Sequence, residues 1–262
     1  LGGEKMKFAV LFITITCLLS GCAAGKEKSV VAFGDSNTRG SNWDYRDYPK
    51  AQQWVNILKT AERGRLTVIN AGIGGQTTED ARLRFQSDVL ERKPQYLFIM
   101  FGTNDAGILT GDQPRVSKKR FKENLTYFIN ESRNHGIKPI LMTCIPVIEG
   151  NGTHHLYYYS RYKASAFKEK GGARTWHNSY NGVTRQVAAE LKVPLVDNWK
   201  HFIRADGGKD TDRALIQSGL IDPSGNHMTP KGARILIEGI KNGRVFGTLD
   251  AVSCLNRFAS AS

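Results

Sequence analysis

Five short apolar runs, each halted by glycine, asparagine, aspartate or proline, restrict this chain more than any other feature. They are Val30-Val31-Ala32-Phe33, Leu66-Thr67-Val68-Ile69, Tyr96-Leu97-Phe98-Ile99-Met100-Phe101, Pro139-Ile140-Leu141-Met142-Thr143-Cys144-Ile145 and Val193-Pro194-Leu195-Val196. Runs this short, rich in β-branched and aromatic residues, read as buried strands. The intervening stretches carry apolar residues at helical spacing. Trp54, Val55, Ile57 and Leu58 mark a helix over 51–60, and Ala81, Leu83, Phe85 and Leu90 form the inward face of one over 79–91. Phe121, Leu125, Phe128 and Ile129 do the same over 117–134, as do Val183, Val187, Ala188 and Leu191 over 179–191. Pro230 opens a last helix bearing Ile235, Leu236, Ile237 and Ile240. Strand alternating with helix is the pattern of an α/β domain, where ligands bind beyond the carboxyl ends of the strands. At 262 residues and 40% apolar, without repeats or low-complexity linkers, the chain suits one such domain over 28–250, with a tail over 251–262.

The strand ends therefore hold the candidate chemistry. Gly34-Asp35-Ser36 follows the first run, and a serine there is either a helix cap or a nucleophile. Glycines 72, 74 and 75 follow the second run; they lack the spacing of a dinucleotide loop but allow a backbone N–H to approach a substrate oxygen. Gly102-Thr103-Asn104-Asp105 follows the third, where Asn104 could donate to an oxyanion and Asp105 could stiffen the loop. Near the end, His227 precedes a helix and follows Asp222 at short range, as a positioned general base requires. Asp197 and His201, four apart, form a second, weaker acid–base pair. The long aromatic stretch from 149 to 177 reads as a binding rim or lid, its second half as a short helix around Tyr162, Ala166 and Phe167. Its adjacent His154 and His155 lack the spacing of a helical metal site, and no metal is expected.

The first 21 residues read as a signal peptide: Met6-Lys7 gives a basic start, and the apolar core is too short for a normal membrane span. Leu19-Ser20-Gly21-Cys22 resembles the bacterial lipobox, which implies lipid modification of Cys22, a tether over 22–27 and a place in the bacterial cell envelope, anchored to a membrane. The net charge of +13 favours an anionic setting, such as an acidic glycan or lipid headgroups. Its basic residues are spread along the chain without a nucleic-acid motif, so nucleic acid is not expected as a partner. Cys17, Cys22, Cys144 and Cys254 make neither a disulfide framework nor a zinc site; Cys144 is either a buried thiol or paired with Cys254.

Taken in order, Gly34-Asp35-Ser36, Gly72-Ile73-Gly74-Gly75-Gln76-Thr77, Gly102-Thr103-Asn104-Asp105 and His227 before Pro230 and Gly232 resemble the four blocks of the SGNH hydrolases, or GDSL esterases and lipases. The resemblance implies a three-layer α/β/α sandwich with a mostly parallel, five-stranded, flavodoxin-like sheet. It implies Ser36 as nucleophile, His227 as base and an oxyanion hole from the N–H groups of Ser36 and Gly75 with the Asn104 side chain, and it requires no cofactor. Two positions depart from the pattern. Asn37 stands where many members carry leucine or isoleucine, and Ser224 stands three residues before the histidine, where the family places its aspartate. Asp222, five before, completes the triad if Pro223 and Gly225 fold a turn long enough to bring its carboxylate to His227 Nδ1; otherwise a backbone carbonyl holds the ring.

The function implied is a serine esterase acting on short-chain or O-acetyl esters of a carbohydrate or small molecule. Two competitors stand beside it: an O-acyltransferase delivering the acyl group to a cell-envelope glycan, and an inactive lipoprotein that binds such a glycan.

Overall fold

The structure, a computed structural model, describes residues 28–44, 46–61, 66–152, 155–243 and 246. The readings for Cys22, the signal peptide, the tether, His154 and the tail lie outside these residues. Five strands, β1 (Lys28–Gly34), β2 (Leu66–Gly72), β3 (Tyr96–Met100), β4 (Lys138–Met142) and β5 (Leu195–Val196), form one parallel sheet in the order β2-β1-β3-β4-β5. This is the expected flavodoxin-like order. The direction of winding reverses between β1 and β3, so the loops leaving those two strands diverge at the carboxyl edge, where sheets of this kind bind their ligands.

Successive strand residues point to opposite faces, and here both faces are covered. Val30, Ala32, Phe98, Met100, Ile140 and Met142 pack against α2 (Trp54–Ala61), α6 (Asn198–Ala205), α7 (Asp212–Ser218) and α8 (Pro230–Asn242). Val31, Phe33, Leu97, Ile99 and Leu141 face α3 (Thr78–Phe85), α4 (Lys118–Asn134) and α5 (Ala173–Glu190). On that second face Phe33, Phe85 and Phe128 meet with centroids 4.8–5.5 Å apart. The sheet is therefore the middle of three layers, as the resemblance implied.

Local differences from the sequence reading have physical causes. Leu83 is 89% exposed, because the inward stripe set by Ala81 and Phe85 leaves residue 83 on the opposite side of a helix of 3.6 residues per turn. A π-turn over Gln86–Leu90 then returns Val89 and Leu90 to the core. The short helix after 161 is a 3₁₀ turn, Ala164–Lys170, that buries Phe167. α5 begins at Ala173, six residues before the expected start. Asp197 is not paired with His201: its carboxylate caps α6 through Lys200 N and takes both arms of Arg185 at 2.9 and 3.0 Å. Cys144 is a buried thiol donating to Phe101 O, and burial pushes its pKa upward. Among the described residues there is no group of acids, histidines and cysteines that could hold a metal, and no helix long and apolar enough to cross a membrane.

Candidate active site

β1 ends at Gly34 because nothing larger fits: a Cβ there would lie 2.1 Å from Thr38 Oγ1 and 2.7 Å from Met100 O. Asp35 then caps the single-turn helix α1 (Ser36–Arg39), its Oδ1 accepting from Asn37 N at 2.9 Å, and Gly40 closes the turn at φ 92°. Ser36 is thus the first residue of a sharp strand-to-helix turn, at the switch point of the sheet. Its Oγ lies 2.9 Å from His227 Nε2, across 191 residues of sequence.

The other two loops converge on the same place. The backbone at Gly74 passes close enough that a Cβ would sit 3.8 Å from Ser36 Cβ, and Gly75 takes φ 77°, a conformation glycine adopts without strain. Asn104, in the loop that leaves β3, donates through Nδ2 to Gln76 O at 2.9 Å and lies 3.5 Å from Asp35 Oδ2. Asp105 stiffens this region as expected: it is fully buried and accepts from both Thr78 N and Thr78 Oγ1 at the start of α3. Ser36, Gly75, Asn104 and His227 therefore share one site.

Asp222 is close to it but does not complete a triad in the expected way. Its Oδ1 accepts from Ser224 N at 2.9 Å and from the Ser224 hydroxyl, while Oδ2 faces the Tyr48 hydroxyl at 3.4 Å. Residues 222–225 form a tight turn, with Gly225 N donating to Asp222 O, and the short aspartate side chain is consumed locally as the cap of that turn. His227 Nδ1 is buried and has neither a carboxylate nor a backbone carbonyl as partner. For Nε2 to accept a proton from Ser36, the neutral ring must carry its own proton on Nδ1, leaving a buried donor unpaired at a cost of about 1–3 kcal/mol.

The electrostatics follow from burial. Desolvation, reinforced by the nearby Arg161 guanidinium, pushes the His227 pKa down to about 4. Burial pushes Asp35 up to about 7 and Asp105 up to about 6, with the charge of Asp105 adding to the rise at Asp35. With its pKa pushed down to about 4, the ring would be neutral, and so able to act as a base, throughout the mildly acid range. The acid limb of kcat/KM is accordingly expected near pH 4, not at the 6.5 of an ordinary histidine, and a pH–rate profile on a small ester checks this. Replacing Asp222 and Ser224 together, Asp222→Asn with Ser224→Asp, moves the carboxylate to three residues before His227 and should raise that limb, because an anion at Nδ1 favours the imidazolium. A wild-type limb centred at 6.5 would contradict the dry environment of the ring.

Several residues that hold the site had no signal in the sequence. Arg84, whose side chain is 11% exposed, donates to Gly34 O, Ala71 O and Gln76 Oε1, tying the end of β1 to the glycine loop after β2. Arg115 holds Gly75 O at 2.8 Å. Arg161 bridges Ser224 O and Asn226 Oδ1 in the histidine loop. Only the fold brings these donors to their acceptors, so no local spacing could reveal them.

A parallel three-layer sheet that holds a serine and a histidine in contact at its switch point, beside a glycine loop and an asparagine, is the arrangement of a serine hydrolase of the α/β/α type. Residues 30–240 match the sequence model of the GDSL-like lipase/acylhydrolase family, and the chain belongs to that family, the serine carboxylic ester hydrolases. It is 75% identical to a protein named uncharacterized lipoprotein YqeF of Bacillus subtilis (strain 168), over 92% of this chain and 99% of that one. It is 26% identical to the probable rhamnogalacturonan acetylesterase YesY of the same organism, over 82% of this chain and 89% of that one. Among solved structures, the lipase/acylhydrolase from Enterococcus faecalis superposes with a TM-score of 0.61 at 23% identity, covering 84% of this chain and 96% of that one. Axe2, an acetylxylan esterase from Geobacillus stearothermophilus, gives 0.59 at 21%, covering 84% and 94%. These two likenesses concern the fold.

Proposed function

We propose that this protein removes short acyl groups, foremost acetyl, from a carbohydrate at the bacterial cell envelope, with Ser36 as nucleophile and His227 as general base. The observation that carries the reading is the 2.9 Å contact between His227 Nε2 and Ser36 Oγ at the carboxyl edge of the sheet. Ser36 Oγ attacks the ester carbonyl while His227 Nε2 takes its proton. The oxyanion that forms is met by the Asn104 amide and the N–H groups of Ser36 and Gly75. Collapse breaks the bond to the sugar oxygen, which leaves with the proton from His227. Water then attacks the acyl-serine, His227 again receiving a proton and returning it to Ser36, and acetate departs. Asp222 acts at one remove, fixing the Ser224 hydroxyl that in turn accepts from His227 N at 3.0 Å.

A short acyl group suits a site this closed: Ser36 and His227 are 9% and 7% exposed. Large exposed apolar side chains on the loops leaving the carboxyl edge, Trp43, Ile73 and Leu109, come singly from three separate loops. Trp43 shares its loop with Asn42, Asp44 and Arg46, an amphipathic surface of the kind sugars bind. The acetylesterase names of YesY and of the acetylxylan esterase, 27% identical over 52% of this chain, support a carbohydrate substrate. The lipobox-like quartet ending in Cys22 and the lipoprotein name of the 75%-identical relative support lipid anchoring.

The test is acyl-chain preference together with acetate release. kcat/KM for p-nitrophenyl acetate should exceed that for the octanoate by roughly tenfold or more, since each misfitting methylene can discriminate by at least that factor. Free acetate should appear from acetylated xylan. A preference for octanoate, or transfer of acetyl to a sugar hydroxyl without free acetate, would overturn the reading.

A further inference from the structure

In the proposed Ser36–His227 site the base is held without a carboxylate on its ring, and the question is what holds it instead. Asn37 directly follows the nucleophile and is 3% exposed. Its Nδ2 donates to Asn226 O at 2.9 Å, and its Oδ1 accepts from Met228 N at 3.0 Å. One amide thus grips the backbone on both sides of His227. Its own carbonyl is fixed in turn by Trp54 Nε1 at 3.2 Å. The backbone of His227 itself is also held, its N–H by Ser224 Oγ at 3.0 Å and its carbonyl by Asp222 N at 2.9 Å. Every backbone polar group from Asn226 O to Met228 N is therefore bonded, while Nδ1 of the ring is bare.

We infer that Asn37 is the positioning residue of this site: its side-chain amide clamps the backbone flanking His227 and aims Nε2 at Ser36, the task usually left to an acid on Nδ1. Leucine or isoleucine at this position could make neither bond, so the asparagine after the nucleophile and the missing carboxylate before the histidine are two halves of one arrangement. Because the clamp springs from the residue beside Ser36, it fixes the base relative to the nucleophile itself. It leaves the substrate-facing loops of Gly75 and Asn104 untouched, so its loss should appear in kcat and not in KM.

This inference rests on the Ser36–His227 reading, and the experiment separates the two. Steady-state kinetics on p-nitrophenyl acetate compare wild type, Ser36→Ala, Asn37→Leu and Asn37→Asp, with thermal melting run on each. Asn37→Asp keeps the acceptor for Met228 N and loses only the donor, so it guards against Asn37→Leu failing to fold. Asn37→Leu should lower kcat on the order of 10²-fold, as small misplacements of a reacting group do, with KM changed less than twofold; Asn37→Asp should fall between it and wild type. Adding Asp222→Asn and Ser224→Asp to either Asn37 variant supplies an acid three residues before His227 and should restore most of the lost kcat. Equal kcat in folded Asn37 variants and wild type would overturn the clamp, as would a loss that the relocated acid does not relieve. A wild type no faster than Ser36→Ala would instead remove the Ser36–His227 reading, and the clamp with it.

Discussion

Ser36→Ala is expected to lower kcat on any ester by on the order of 10⁴–10⁶-fold, and His227→Ala by a comparable factor. In the proposed mechanism the two side chains act as one unit: a hydroxyl is a weak nucleophile until its proton has somewhere to go, and Nε2 at 2.9 Å would be that place. Removing either member disables the other, so the double variant should be no slower than the worse single one. Multiplicative losses would mean that the residues act independently, contrary to the proposal. The melting temperature should move little for Ser36→Ala. The same contact makes the expected rate sensitive to the histidine's charge, so a pKa depressed by burial should carry the activity into acid.

The second large effect is expected at Asn104. Asn104→Ala should lower kcat roughly 10²–10³-fold with a smaller change in KM, the loss measured for single oxyanion donors elsewhere. In the structure Nδ2 rests on Gln76 O at 2.9 Å, close beside the oxyanion loop. A donor already fixed before the reaction needs no reorganisation as charge develops, and its effect is therefore concentrated in the transition state. Asn104→Asp is the sharper variant: it keeps the size but puts an acceptor where the negative charge must form, beside the buried Asp35 and Asp105. It should be at least as slow as Asn104→Ala. Kinetics of both on p-nitrophenyl acetate check this, and an Asn104→Ala enzyme within threefold of wild type would exclude Asn104 from the oxyanion site.

Much of the architecture could be read from the chain because its signals are contiguous. The strands are unbroken apolar runs, and the switch-point loops stand out because glycine, serine and asparagine follow such runs at once. The fold then brings Ser36, Gly75, Asn104 and His227 together because β1 and β3 are neighbours in the sheet. What could not be read depends on side-chain direction. Asp222 precedes His227 closely enough to suggest a triad, yet its carboxylate turns back onto Ser224 because the 222–225 turn needs a cap. Asn37 reads as a mere variation in a motif, since its partners lie 189 and 191 residues away. Arg84 and Arg161 are ordinary surface residues until the loops that they bridge exist. α6 and α7 give a weaker signal because they are only eight and seven residues long: Trp199, Phe202 and Ile203 stand at helical spacing, but over little more than one turn.

Everything in the mechanism depends on Ser36 being the atom that attacks and His227 being what activates it. The most direct measurement is labelling of the protein with a fluorophosphonate, an irreversible mimic of the attacked ester, followed by intact mass and peptide mapping. The predicted result is one adduct per chain, located on Ser36, absent in Ser36→Ala and formed far more slowly in His227→Ala. An adduct on another residue, or labelling of Ser36 at an unchanged rate without His227, would contradict it.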